Sequence, residues 1–213
     1  MSNDIAYPVF HSPDPVLALS MARRLMELGR CEYTNVSLYA ELRSVDEVRR
    51  GGAKELPEGW FRGQEPYGEF DDRVPFKDRP EWLVGVRGAG LPTDPMAYAG
   101  RLPVDYELLN HAVASVEDAF TASIGPSVGE INWQDLFWPD APEVGFHGES
   151  KHAEVTLLLN TSTREYDEPA DGHTILVRVR SVNVDGRQMR EPYAHWWLAE
   201  QVGLTVIGPG QRC

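Results

Sequence analysis

Cysteine is nearly missing from this chain. Two thiols in 213 residues, Cys31 and Cys213, cannot make a disulfide framework or a four-thiolate zinc site. Long apolar runs are missing too. No stretch approaches about 18 uninterrupted apolar residues, so no transmembrane helix is expected and membrane association is not. The opening MSNDIAYPVFHSPDPV lacks a basic segment followed by an apolar one, so a secretory leader is not expected either. Basic residues are scarce: 20 Lys and Arg stand against 33 Asp and Glu, a net charge of −13. That balance argues against direct binding to a nucleic-acid backbone. There is no G-x-S-x-G elbow, no phosphate-binding P-loop and no G-x-G-x-x-G. Gly88-Ala89-Gly90 follows an apolar run but opens into Leu91-Pro92 rather than a helix, so it lacks the context of a phosphate cradle. These absences point to a soluble, reduced, intracellular protein, cytoplasmic or a virion component.

What is present reads as alternating short elements. Asp14 can cap a helix, Pro15 suits its first position, and Leu17, Met21, Leu25 and Leu28 recur at helical spacing up to a C-capping Gly29. Residues 33–42 alternate Val36, Leu38 and Ala40 against Asn35, Ser37 and Tyr39, as a strand does. Ser44-Val45-Asp46-Glu47 resembles a capping box opening a short helical turn. Residues 53–80 mix Pro and Gly with aromatic residues, which suits an ordered loop pinned by its rings. Strands are expected at Trp82–Val86 and Met96–Val104. The stripe Leu108, Leu109, Ala112, Val113, Val116, Ala119 and Phe120 predicts a second long helix over Glu107–Ser123. Residues 127–151 read as irregular. Two strands follow, one through Val155, Leu157 and Leu159 and one over Ile175–Val184 with a bulge near Ser181. A turn at Asp185-Gly186, a helix over Ala194–Gln201 and a strand over Leu204–Ile207 complete the reading. The class is α+β: a mostly antiparallel sheet packed against two main helices, with long ordered loops, in one domain over 1–213 that would subdivide into 1–125 and 126–213.

Charge is unevenly spread. Between Glu130 and Asp171 there are ten acids and two bases, a net −8, most of the chain's surplus. Trp133, Phe137 and Trp138 sit inside this stretch beside Asp140 and Glu143. Aromatic anchors within a charged rim are what a protein interface needs, so these five are the expected partner-binding residues. The partner is a protein, through a basic surface or by self-assembly.

A competing chemistry lies in residues 147–173, with His147, Glu149, His152, Glu154, Asp167, Asp171 and His173. His152-Ala153-Glu154 resembles the H-A-E motif of zinc-dependent nucleoside and nucleic-acid deaminases, in which His binds zinc and Glu shuttles protons. Their downstream P-C-x-x-C has no counterpart here. His147-x-Glu149 followed by an apolar strand resembles the facial triad of non-haem iron oxygenases, with His173 or His195 as third ligand and Arg178 or Arg180 for an oxoacid. On this reading His147, Glu149, His152, Glu154 and His173 hold Fe or Zn. On the leading reading the protein is not an enzyme and uses no cofactor.

One further resemblance covers roughly residues 10–125. Arg79-Pro80-Glu81-Trp82-Leu83-Val84-Gly85-Val86-Arg87-Gly88-Ala89-Gly90, then Arg101-Leu102-Pro103-Val104-Asp105 leading into a helix, together with the opening helix from Asp14, is similar to tail terminator and neck proteins of long-tailed phages. That resemblance implies a small α+β subunit of a head–tail ring, an assembly protein without catalysis. An acidic inhibitor or immunity protein that covers a basic partner is the other binding role the charge suits.

Overall fold

The computed structural model describes residues 5–51, 60–63, 94–100, 102–149, 152–164, 169–179, 181–184, 187–190 and 194–212. In chain order they form strand β1 (Ile5–Ser12), helix α1 (Pro15–Gly29), β2 (Asn35–Leu42), α2 (Val45–Gly51), β3 (Trp60–Gly63), a 3-10 turn (Pro95–Tyr98) and β4 (Val104–Ala112). Helix α3 (Glu117–Ile124), β5 (Val128–Gln134), β6 (Trp138–Ala141), a second 3-10 turn (Pro142–Val144) and β7 (Phe146–Glu149) follow. Then come β8 (Glu154–Thr161), β9 (Pro169–Val179), β10 (Ser181–Val184), β11 (Arg187–Arg190), α4 (Ala194–Gln201) and β12 (Gln211–Arg212). The fold is α+β, and the pairings β1–β9, β1–β12, β8–β9, β3–β4, β6–β7 and β10–β11 are all antiparallel.

The chain folds into two compact units: one from residues 1–36 with 130–213, the other from 37–129. The expected division at 125/126 lies close to one boundary. Nothing in the sequence marks the other, inside β2.

In the first unit the strands run in the order β12-β1-β9-β8-β5. Strand β8 is buried on both faces, Val155, Leu157 and Leu159 on one and Thr156 and Leu158 on the other. Helix α1 packs against β8 and β9. Asp14 caps it as its sequence predicts, its carboxylate accepting from the Val16 and Leu17 amides at 2.9 and 3.2 Å. The buried stripe is Ala18, Leu19, Ala22, Leu25, Met26 and Gly29, one position round from the expected one, which leaves Leu17 exposed. Gly29 is no left-handed cap. It is the last helical residue, and a Cβ there would come within 2.8 Å of the Trp138 ring, so close packing demands the glycine.

In the second unit the strand order is β2-β4-β3. Val36, Leu38, Ala40 and Leu42 are buried, as the alternation of β2 predicts. The capping box forms: Ser44 Oγ accepts from the Glu47 amide at 3.2 Å and donates to its carboxylate at 2.9 Å.

Several expected elements differ. The long helix over 107–123 is instead the end of β4, a turn, and the short α3. Val104, Tyr106 and Leu108 alternate into the core at period two, and Asn110 and Ala114 take left-handed φ values of 59° and 65° that no helix tolerates. A strand, not a helix, therefore follows Arg101–Asp105. The strand expected from Met96 is a 3-10 turn whose first amide is capped by Asp94 at 2.9 Å. Most of the region 127–151 expected to be irregular is strand, with β5, β6 and β7 between Val128 and Glu149; residues 150 and 151 lie outside the described residues. Near Ser181, β9 ends at Val179 and β10 begins at Ser181, paired with β11 without a register shift; residue 180 lies outside the described residues. Residues 204–207 carry no strand. Ile207 donates one hydrogen bond to the Pro8 carbonyl at 2.8 Å, and pairing with β1 is left to β12. The strand at Trp82–Val86, the Arg79–Gly90 block, the turn at Asp185-Gly186 and all of the 53–80 loop but Trp60–Gly63 lie outside the described residues.

Candidate interaction surface

Among the described residues the His/Glu cluster does not assemble. His147 is exposed on β7, His152 is half-buried just ahead of β8, Asp171 is exposed on β9, and the side chain of Glu149 and all of Asp167 lie outside the described residues. Glu154 pairs with Arg178 across the β8–β9 ladder, whereas His173 pairs with Leu159 and Thr161, about five residues further along. At 3.4 Å per residue that is roughly 17 Å, far beyond the reach of two ligands on one ion. Among the described residues no three His, Cys, Asp or Glu side chains come together. Glu154, the glutamate of the H-A-E triplet, is buried and held by arginine: Arg178 at 2.6 Å, with Arg164 at 3.8 Å and Glu130 beyond it at 3.7 Å from Arg164. His195, the other third-ligand candidate, is buried with its ring stacked on Tyr7 at 3.6 Å and 8°.

In the second unit the Tyr39 hydroxyl donates to Asp105 at 2.8 Å. Burial first, then that hydrogen bond and the charges of Asp105, Glu41 and Glu107, raise the phenol far above its ordinary value. It stays protonated. Such a pair supplies no general base from the phenol.

The expected interface residues divide. Trp133 and Trp138 are 0% exposed, which corrects their assignment as partner-facing anchors. Their size, and for Trp138 an indole N–H donated to the Arg178 carbonyl at 2.9 Å, make them core residues of the first unit. Phe137 is 54% exposed, and Asp140 and Glu143 are exposed as well. Glu143 accepts from the Trp197 indole at 3.1 Å, an internal tie on α4.

Phe137 is not a loose loop residue. Asp135 takes a left-handed φ of 55°, and its backbone carbonyl accepts from the Cys31 thiol at 3.0 Å and from the Thr34 hydroxyl at 3.3 Å. Its carboxylate accepts from the Asn35 amide at 2.8 Å, and the Phe137 N–H donates to the Gly29 carbonyl at 2.6 Å. These bonds stitch 135–137 to the turn that follows α1. Tyr33, in that turn, is 74% exposed, and its hydrogen bond to Glu32 raises its phenol above the ordinary range. The result is two exposed rings on adjoining, hydrogen-bonded segments. Glu27, Glu32 and Asp135 are exposed around them, with Arg30 tied to Glu27 at 3.1 Å. Phe137 stands out in the sequence and Tyr33 does not, although its position shortly after a helix end is a signal for an exposed turn residue.

No known protein family, curated protein or solved structure matches this chain. Among the described residues no helix is long and apolar enough to cross a membrane.

Proposed function

We propose that this protein is a non-enzymatic interaction protein that binds a basic protein partner through Tyr33 and Phe137. The observation that carries this reading is the pair of exposed rings on segments locked by five hydrogen bonds from backbone and side chains of Cys31, Thr34, Asn35, Asp135 and Phe137. Large rings held rigidly in water are costly to expose and lose little freedom on binding, which is the make-up of an interface anchor. Charge complementarity selects the partner: acids surround the rings, and the whole chain carries −13.

The test is a titration of the full chain with an arginine-rich peptide and, separately, with its glutamate-substituted counterpart. The basic peptide should bind, and binding should weaken steeply with salt. Phe137→Ala should weaken it about tenfold or more, equivalent to about 1.4 kcal/mol, with the melting temperature unchanged. Equal binding of both peptides, or an unaffected Phe137→Ala protein, would overturn the reading.

A further inference from the structure

We propose that His173 is a proton-operated latch. As neutral imidazole it ties the bulged end of β8–β9 to the connection between β1 and α1. As imidazolium it releases the Asn160 amide and loosens that end of the first unit.

The geometry begins with a local irregularity. The register of β8 on β9 shifts between Leu159 and Thr161, both of which pair with His173. Asn160 is the extra residue, in left-handed conformation with φ 57°. Its N–H points at the imidazole, donating to His173 Nδ1 at 3.3 Å. That bond needs the Nδ1 lone pair. The ring also bonds the Pro13 backbone, in the connection ahead of α1. Neutral His173, protonated on Nε2, thus spans two segments with one acceptor and one donor. A second proton must go to Nδ1, where it faces the Asn160 N–H, and two donors cannot share that bond.

The surroundings set the direction. His173 is buried, and burial is the main reason its pKa lies below the ordinary value. His11, from β1, also lowers it, while Asp14 and the Pro13 bond raise it in part. His11 is exposed. Its Nδ1 lies 3.1 Å from the Thr174 hydroxyl, and its ring lies against Gly172, where a Cβ would sit 2.7 Å from Nε2. Only glycine, at φ 118°, lets that ring lie so close to β9. Acidification therefore places the His173 charge at this strand end, beside the His11 ring. Among the described residues the charged groups facing His173 are His11 from β1 and Asp14 at the start of α1, with Asp171 two residues before it on β9. Strand β8 presents no charged group there, only Leu159, Asn160 and Thr161.

The test is amide hydrogen exchange on the full chain at pH 7.5 and pH 5.0, each rate corrected for intrinsic exchange. Protection of the Asn160 amide should fall about tenfold or more on acidification, while Leu157 in the middle of β8 stays unchanged. His173→Gln offers an oxygen acceptor that does not titrate, and its Asn160 protection should be the same at both pH values. Equal protection at both pH values in the natural protein, or the same loss in His173→Gln, would overturn the latch. Should His173→Gln not fold, imidazole NMR on the natural chain decides. The Asn160 amide shift should follow the His173 ring titration point for point; an Asn160 shift that departs from it, or does not titrate, would overturn the latch.

Discussion

Leu136, Phe137 and Trp138 are three consecutive large apolar residues with opposite fates: buried, exposed, buried. Composition cannot separate them. What separates them is direction: after the left-handed Asp135, Leu136 and Trp138 both lie against Gly29 of α1 while Phe137 points away into solvent. Trp138→Ala should cost about 3–5 kcal/mol by leaving a ring-sized cavity and a carbonyl without its indole donor. Phe137→Ala should change stability by no more than about 0.5 kcal/mol, as surface substitutions do. Thermal or denaturant unfolding of the two variants measures both; a marginal Trp138→Ala effect would mean the indole is not core. Gly29 makes the same point at the smallest scale. Alanine is normally better in a helix by about 1 kcal/mol, yet Gly29→Ala should be destabilising by about 1–2 kcal/mol because the new methyl meets the Trp138 ring. Gly100→Ala, with nothing within 4 Å, is the matching control and should be near neutral.

Elements with a strong local signal form where their residues say. Helix α1 with its Asp14 cap, the alternating β2, the capping box at Ser44–Glu47 and α4 were all legible. The miss over 107–123 has a physical cause. Its apolar residues satisfy the helical period from Leu108 to Phe120, but Val104, Tyr106 and Leu108 also satisfy the period of a strand, and pairing with β3 decides in favour of the strand. Leu108→Asp should therefore cost about 3–5 kcal/mol, whereas Val113→Asp, half-buried in the turn, should cost about 1 kcal/mol or less. A large loss for Val113→Asp would restore the long helix. The His173 element carries a pH signature with a definite sign. Its folded pKa lies below the value near 6.5 of an unfolded histidine. The unfolded chain thus binds more protons just below pH 6.5, and the stability His173 contributes is full above that pH and declines as pH falls through it. His173→Gln should flatten this part of the stability–pH curve in urea melts.

At the scale of the molecule, charge was the most legible property and the site the least. The acidic surplus over 130–171 is plain in composition, yet much of it has internal employment: Glu130 and Glu154 serve the arginine network and Glu143 holds Trp197. The remaining exposed acids repel one another, so raising salt from about 20 to 200 mM should raise the melting temperature. If the same acids steer a basic partner, Glu32→Lys with Asp140→Lys should slow association several-fold and leave dissociation nearly unchanged, as surface plasmon resonance would read. Spacing along the chain hid the proposed interface, because Tyr33 and Phe137 lie on segments joined only by the fold.

That discontinuity also bears on biosynthesis. Ile5 pairs with Val179 and Arg212, so β1 leaves the ribosome long before either partner strand exists. At roughly 5–20 residues per second the wait is on the order of ten seconds or more. Meanwhile the whole 37–129 unit is synthesised and can close on its own contacts. For that interval β1, a strand of mostly apolar residues, stands without its partner strands, the kind of exposed edge that chaperones bind and that aggregates when they are short. The order of synthesis thus separates β1 from both strands it pairs with, so slower translation should lengthen its exposure and lower the yield of native protein.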